Sequence, residues 1–102
     1  MNRIPKQQKL SFGQRHRLAG SGYKEMVPDG LLAGLRVKNC LPNEFVEVEI
    51  YSSGKQFVKQ MLLADSNGDI EALQKWLLPD GEYIITVKSL HDRDTIQLAL
   101  WG

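Results

Sequence analysis

Residues Asp65 to Val87 read DSNGDIEALQKWLLPDGEYIITV, and two turn signals frame them. Asn67-Gly68 is the pair that most favours a tight hairpin, because both central positions of the turn need positive φ. Pro79-Asp80-Gly81 is a second turn. The segment after it, Glu82 to Leu90, places Tyr83, Ile85 and Val87 on one face and Thr86 and Lys88 on the other, the two-residue period of a half-buried strand. Between the turns, Ile70 to Leu78 is ambiguous. Ile70, Leu73, Trp76 and Leu77 suit helical spacing, while Ile70, Ala72 and Gln74 alternate poorly. The expectation there is a short strand or extended crossover with room for one helical turn around Glu71 to Trp76.

Upstream, Phe45 to Tyr51 alternates cleanly, with Val46, Val48 and Ile50 inward and Glu47 and Glu49 toward water, as in an antiparallel sheet solvated on one side. Ser52 to Lys55 reads as a hairpin connection. Phe57 to Leu63 then runs back with Phe57, Met61 and Leu63 on one face. Lys59 shares their parity, which suits an edge strand. Val27-Pro28-Asp29-Gly30 is a turn that launches Leu31 to Lys38, where Leu31, Ala33, Leu35 and Val37 alternate, and Asn39 to Asn43 is a loop. Downstream, His91 to Asp94 is a charged hairpin loop. Thr95 to Trp101 is the last strand, with Ile96, Leu98 and Leu100 inward and Gln97 and Trp101 outward. Short strands at spacings of about 8–12 residues, separated by turns, imply an all-β sandwich or small barrel.

An alternating strand followed by Asp65-x-Asn67-Gly68-Asp69, an apolar crossover and Leu78-Pro79-Asp80-Gly81-Glu82-Tyr83-x-x-x-Val87 resembles the bacterial and phage immunoglobulin-like domains. The resemblance covers about Leu31 to Trp101. It implies an immunoglobulin-like antiparallel β-sandwich and, since such domains serve as spacers, adhesins and virion surface modules, a structural role.

Residues 1–24 have a different character. Ile4, Leu10, Phe12, Leu18 and Tyr23 are scattered without period, and Gly13, Gly20 and Gly22 interrupt any regular element. The segment carries Arg3, Lys6, Lys9, Arg15, Arg17 and Lys24 and no acid, so it stands at +6 within a chain of net charge +1. Residues 25–102 hold the other seven of the 13 bases and all 12 acids, or −5. The expected organisation is an extended basic N-terminal arm over residues 1–26 and a sandwich over residues 27–102. At 102 residues the chain can bury one core without staples. A lone cysteine, Cys40, precludes an intrachain disulfide. No apolar run approaches a membrane span, and the start does not read as a signal peptide.

Candidate chemistry is sparse. Asp65, Asn67 and Asp69 have the spacing of the first ligands of a calcium loop, but Gly68 is misplaced and Trp76 stands where a bidentate Glu is required, so a turn explains them. His16 and His91, the chain's two histidines, have no ligand spacing around them. Cys40 lacks a nearby base and reads as a buried inert thiol. Glu47 and Glu49 share one solvated strand face. No cofactor or metal is expected, and no enzymatic activity.

The arm therefore carries the functional expectation: Ile4, Leu10, Phe12, Arg15, Arg17 and Tyr23, with Trp101 on the outward face of the last strand, bind neighbouring subunits of a protein assembly. The resemblance makes that assembly a phage virion put together in the host cytoplasm. The chain would be a capsid decoration or cement protein, or a small tail or baseplate component, with a homo-oligomer as one arrangement. Two alternatives follow from the same residues. One is a carbohydrate-binding surface module using Trp101 with His91 and Asp92, or an aromatic platform of Trp101, Trp76 and Tyr51. The other is a nucleic-acid-binding arm, which ranks behind a protein partner because Gln7, Gln8 and Gln14 dilute its charge.

Overall fold

The first strand pair closes on Pro28 and Asp29. A computed structural model describes residues 17–101, and in it Ala19–Val27 (β1) and Gly30–Lys38 (β2) form a continuous antiparallel ladder from Ala19↔Lys38 to Val27↔Gly30. Five further strands follow: Phe45–Ser52 (β3), Lys55–Leu63 (β4), Ile70–Leu78 (β5), Ile84–Ser89 (β6) and Thr95–Trp101 (β7). The described residues are all-β.

The strands form one seven-stranded sheet in the order β4-β3-β6-β7-β1-β2-β5. All neighbours are antiparallel except β1 and β7, which run parallel through Gly22↔Leu100 and Tyr23↔Trp101. A side chain at Gly22 would put its Cβ 2.5 Å from the Ala99 carbonyl oxygen, so the close approach of the two strands requires glycine there. The sheet curls until its edges meet, and the Trp76 indole Nε1 on β5 donates to Gln60 Oε1 on β4 at 2.9 Å. The result is nearly a barrel.

The core lies inside that curl. Leu31, Ala33, Leu35 and Val37 of β2, Val46, Val48 and Ile50 of β3, and Ile85 and Val87 of β6 are wholly enclosed. These are the inward positions that two-residue alternation predicts. Trp76, Tyr83, Leu98 and Cys40 complete the interior.

Three sequence-based expectations need correction. First, Ala19–Val27 is a strand in the middle of the sheet, so a boundary at 26/27 cuts through β1 and Gly20 and Gly22 do not break it. Second, Ile70–Leu78 holds no helical turn. It is a strand with a bulge, in which Ala33↔Trp76 gives way to Leu35↔Ala72 and only Gly34 faces Leu73, Gln74 and Lys75. A Cβ on Gly34 would lie 1.9 Å from the Leu73 carbonyl oxygen. The bulge erases the alternation that sequence reading looks for.

Third, β4 faces the opposite way from Val58 onward. The pairing steps from Tyr51↔Gln56 to Ile50↔Val58, which leaves Phe57 as an extra residue. Phe57, Val58 and Leu62 therefore pack on the core, while Met61 and Leu63 are 51% and 53% exposed.

Candidate functional site

β2, β4 and β6 end, and β3, β5 and β7 begin, at one end of the sheet, where the described chain also starts. Three loops are tied together there. The Ser89 hydroxyl, wholly buried, donates to Glu44 Oε1 at 2.6 Å. Glu44 Oε2 accepts from the Leu41 amide at 2.8 Å, and Ser89 Oγ accepts from the amides of His91 and Asp92 at 3.0 and 3.2 Å. A buried carboxylate is costly to desolvate unless hydrogen-bonded, and these bonds satisfy it while fixing the 41–44 loop against the β6–β7 turn.

Asp94 in that turn holds the chain entry. Its Oδ2 accepts from the Leu18 amide at 2.9 Å, its Oδ1 lies 3.2 Å from the Arg17 guanidinium, and Asn39 Nδ2 donates to the Arg17 carbonyl at 2.9 Å. Leu18 is buried in the core, whereas the Arg17 side chain is 80% exposed. Asp65 closes the remaining loop by accepting from the amides of Asn67 and Asp69 at 2.8 and 3.0 Å. Its carboxylate is thus engaged by backbone donors, the geometry of a turn.

Residues on either side of these ties form an apolar row on the outer surface of the sheet. Phe45 pairs with Leu63, and because Val46 pairs with Ser89, Leu90 lies on Phe45's other flank and donates its amide to the Phe45 carbonyl at 3.3 Å. Met61, opposite Glu47, stands one step along the strand on the same face. Phe45, Met61, Leu63 and Leu90 are each about half exposed. Beyond them the face turns polar, with Glu47 lying 3.9 Å from both Lys59 and Lys88. The outward parity of Phe45 was legible in the sequence. That of Met61 and Leu63 was not, because the bulge at Phe57 reverses it.

Ile4, Leu10, Phe12 and Arg15, expected as contact residues, lie outside the described residues. Tyr23 and Trp101, distant in sequence, are brought into register by the parallel β1–β7 pair on the outer surface. Trp101 is 69% exposed, and the Arg36 guanidinium sits 5.9 Å from the Tyr23 ring centroid. Arg36 is itself held by Glu71 at 2.6–2.7 Å, which raises its pKa further above the ordinary arginine value. A shallow cavity of about 240 Å³ opens beside Tyr23 and Arg36, with Lys24, Glu25, Leu73 and Gln74 on its rim.

The other expected groupings are not assembled. His91 and Asp92 precede β7 while Trp101 ends it, so they are separated by roughly the 20 Å length of a seven-residue strand. Trp76 is buried in the core, and Tyr51 hydrogen-bonds Glu49 on the outer face of β3, so no platform joins them to Trp101.

The arrangement offers recognition chemistry: an apolar row to desolvate beside fixed loops at one end of the sheet and, farther along it, an aromatic pair with a neighbouring cation. No family model, curated protein or solved structure matches the chain.

Proposed function

We propose that this chain is a non-enzymatic structural protein that joins a larger protein assembly, an immunoglobulin-like module whose N-terminal segment binds a neighbouring subunit. The observation that carries this reading is the contiguous exposed row of Phe45, Met61, Leu63 and Leu90. The largest apolar patch on a monomer, typically a few hundred Å², is often functional. The charge division adds to it: residues 1–16 hold four of the 13 bases and no acid, leaving residues 17–102 at nine bases against 12 acids. Two features favour the immunoglobulin-like description. The strands divide into β1-β2-β5 and β4-β3-β6-β7, joined by the parallel β1–β7 pair. Tyr83, at the corner between β5 and β6, donates its hydroxyl back to the Pro79 carbonyl, as in the tyrosine corner of such domains. The virion is the setting that the sequence resemblance implies.

The test is a deletion of residues 2–16, ahead of the Arg17–Asp94 contact, so that β1 is spared. The shortened protein is expected to keep its near-ultraviolet circular dichroism and to lose co-purification with its assembly. Undiminished incorporation of the folded, shortened chain would overturn the reading.

A further inference from the structure

Resting on that reading, we infer that the acceptor surface for residues 1–16 is the Phe45–Met61–Leu63–Leu90 row of a second copy of this chain. The described chain begins at the loop end of the sheet, clasped by Asp94 in the turn that also presents Leu90. β1 starts at Ala19 and runs away from that end, so residues 1–16 are attached there, through Arg17. A second copy facing the loop end lies beside that attachment point.

Size and chemistry fit. Four side chains, each about half exposed, offer on the order of 300–400 Å² of apolar surface, well short of the roughly 1,000 Å² a specific interface needs. Sixteen extended residues reach about 50 Å. The row runs from Leu90, just past the end of β6, over β3 to β4, about 10 Å from Leu90 to Leu63, so the segment has length to cover the row and add contacts on either side. Ile4, Leu10 and Phe12 supply apolar anchors, and Arg3, Lys6, Lys9 and Arg15 lie among them. Asp65 and Asp69 follow Leu63, and Asp92 follows Leu90, so carboxylates flank the row at this end. Each copy carries one segment and one row, so a two-fold pair makes the contact twice, and reciprocal exchange closes the assembly.

The test uses the full-length chain, its Met61→Ser/Leu63→Ser and Leu10→Ser/Phe12→Ser variants, and a synthetic peptide of residues 1–16. Light scattering after size exclusion and peptide titration are the readouts, with near-ultraviolet circular dichroism confirming that each variant is folded. The substituted face positions are already exposed, so the fold is expected to survive. The expected result is a wild-type dimer or ring, at least tenfold weaker association in both variants, and peptide binding to the Leu10→Ser/Phe12→Ser protein but not to the Met61→Ser/Leu63→Ser protein. If the face variant associates and binds peptide like wild type while the segment variant is monomeric, the acceptor surface is wrong and the proposed function stands. A monomeric wild type overturns the second-copy assignment: peptide binding by the segment variant then means that each chain covers its own row. No peptide binding to either variant removes the row as an acceptor.

Discussion

The Ser89 hydroxyl donates to Glu44 Oε1 at 2.6 Å inside the loop end, and the next residue after each partner, Leu90 and Phe45, is an exposed member of the apolar row. One buried bond therefore sets the relative position of two surface side chains, one on β3 and one in the β6–β7 turn. Ser89→Ala removes the hydrogen bonds that its hydroxyl makes with Glu44 Oε1 and with the His91 and Asp92 amides. Leaving buried polar groups short of a partner costs about 1–3 kcal/mol. The expected outcome is a lower urea midpoint with an unchanged slope, the drop multiplied by that slope giving this free energy. A midpoint equal to wild type would show that the bond contributes nothing net.

Gly34 faces the β5 bulge, and a methyl group there would meet the Leu73 carbonyl 1.9 Å away. Backbone must move to relieve that overlap, so Gly34→Ala is expected to destabilise by about 3 kcal/mol or to abolish folding. Gly54 is the control. It has φ 78° in the β3–β4 turn and nothing within 4 Å of an added Cβ. Gly54→Ala meets only left-handed backbone strain, about 1–2 kcal/mol. Thermal denaturation of both variants checks the ranking, and comparable losses would mean that β5 yields at the bulge.

How much was legible follows from where the strands obey their period. β3 and β6 were readable because Val46, Val48, Ile50, Ile85 and Val87 alternate without interruption and all are enclosed. β5 hides its period because two extra residues within Leu73–Lys75 interrupt the alternation without changing its parity, and β4 does so from Val58 onward because the single extra residue at Phe57 reverses it. β1 was invisible for another reason. Its positions facing the β2 core residues Leu35 and Val37 are Gly22 and Gly20, which leave no apolar signal although the backbone is fully paired. The outer row was hidden by the same parity error in β4. The meeting of Tyr23 and Trp101 depends on a parallel pairing across 78 residues, which no local pattern encodes.

Tyr83 gives a pH prediction. Burial, and the charge of Asp80 second, raise its pKa above the usual 10.0. A proton held more tightly in the folded state contributes stability that is complete below the unfolded value and is lost as pH rises through the folded one. Unfolding free energy is therefore expected to decline above about pH 10, beyond the general effect of lysine titration. Tyr83→Phe should flatten that part of the decline. At neutral pH it should cost about 0.5–1.5 kcal/mol for the hydrogen bond to the Pro79 carbonyl. Denaturant titrations at several alkaline pH values compare the two proteins, and parallel curves would exclude a role for this hydroxyl.

Asp94 decides how firmly the chain entry is held. Its carboxylate accepts the Leu18 amide at 2.9 Å and sits 3.2 Å from an Arg17 guanidinium that is largely in water. An exposed ion pair contributes little, so the bond to the Leu18 amide is the part that matters, about 1 kcal/mol. Asp94→Ala should leave the core strands intact and raise the frequency with which residues 17–18 lift away from the sheet. Trypsin cleaves after Arg17 only when that backbone opens. The fragment beginning at Leu18 is expected to accumulate several-fold faster in the variant, as followed by mass spectrometry, while its melting temperature falls by only a few degrees. Cleavage after Arg17 at the wild-type rate would mean that Leu18's burial in the core, and not the carboxylate, anchors the start of β1.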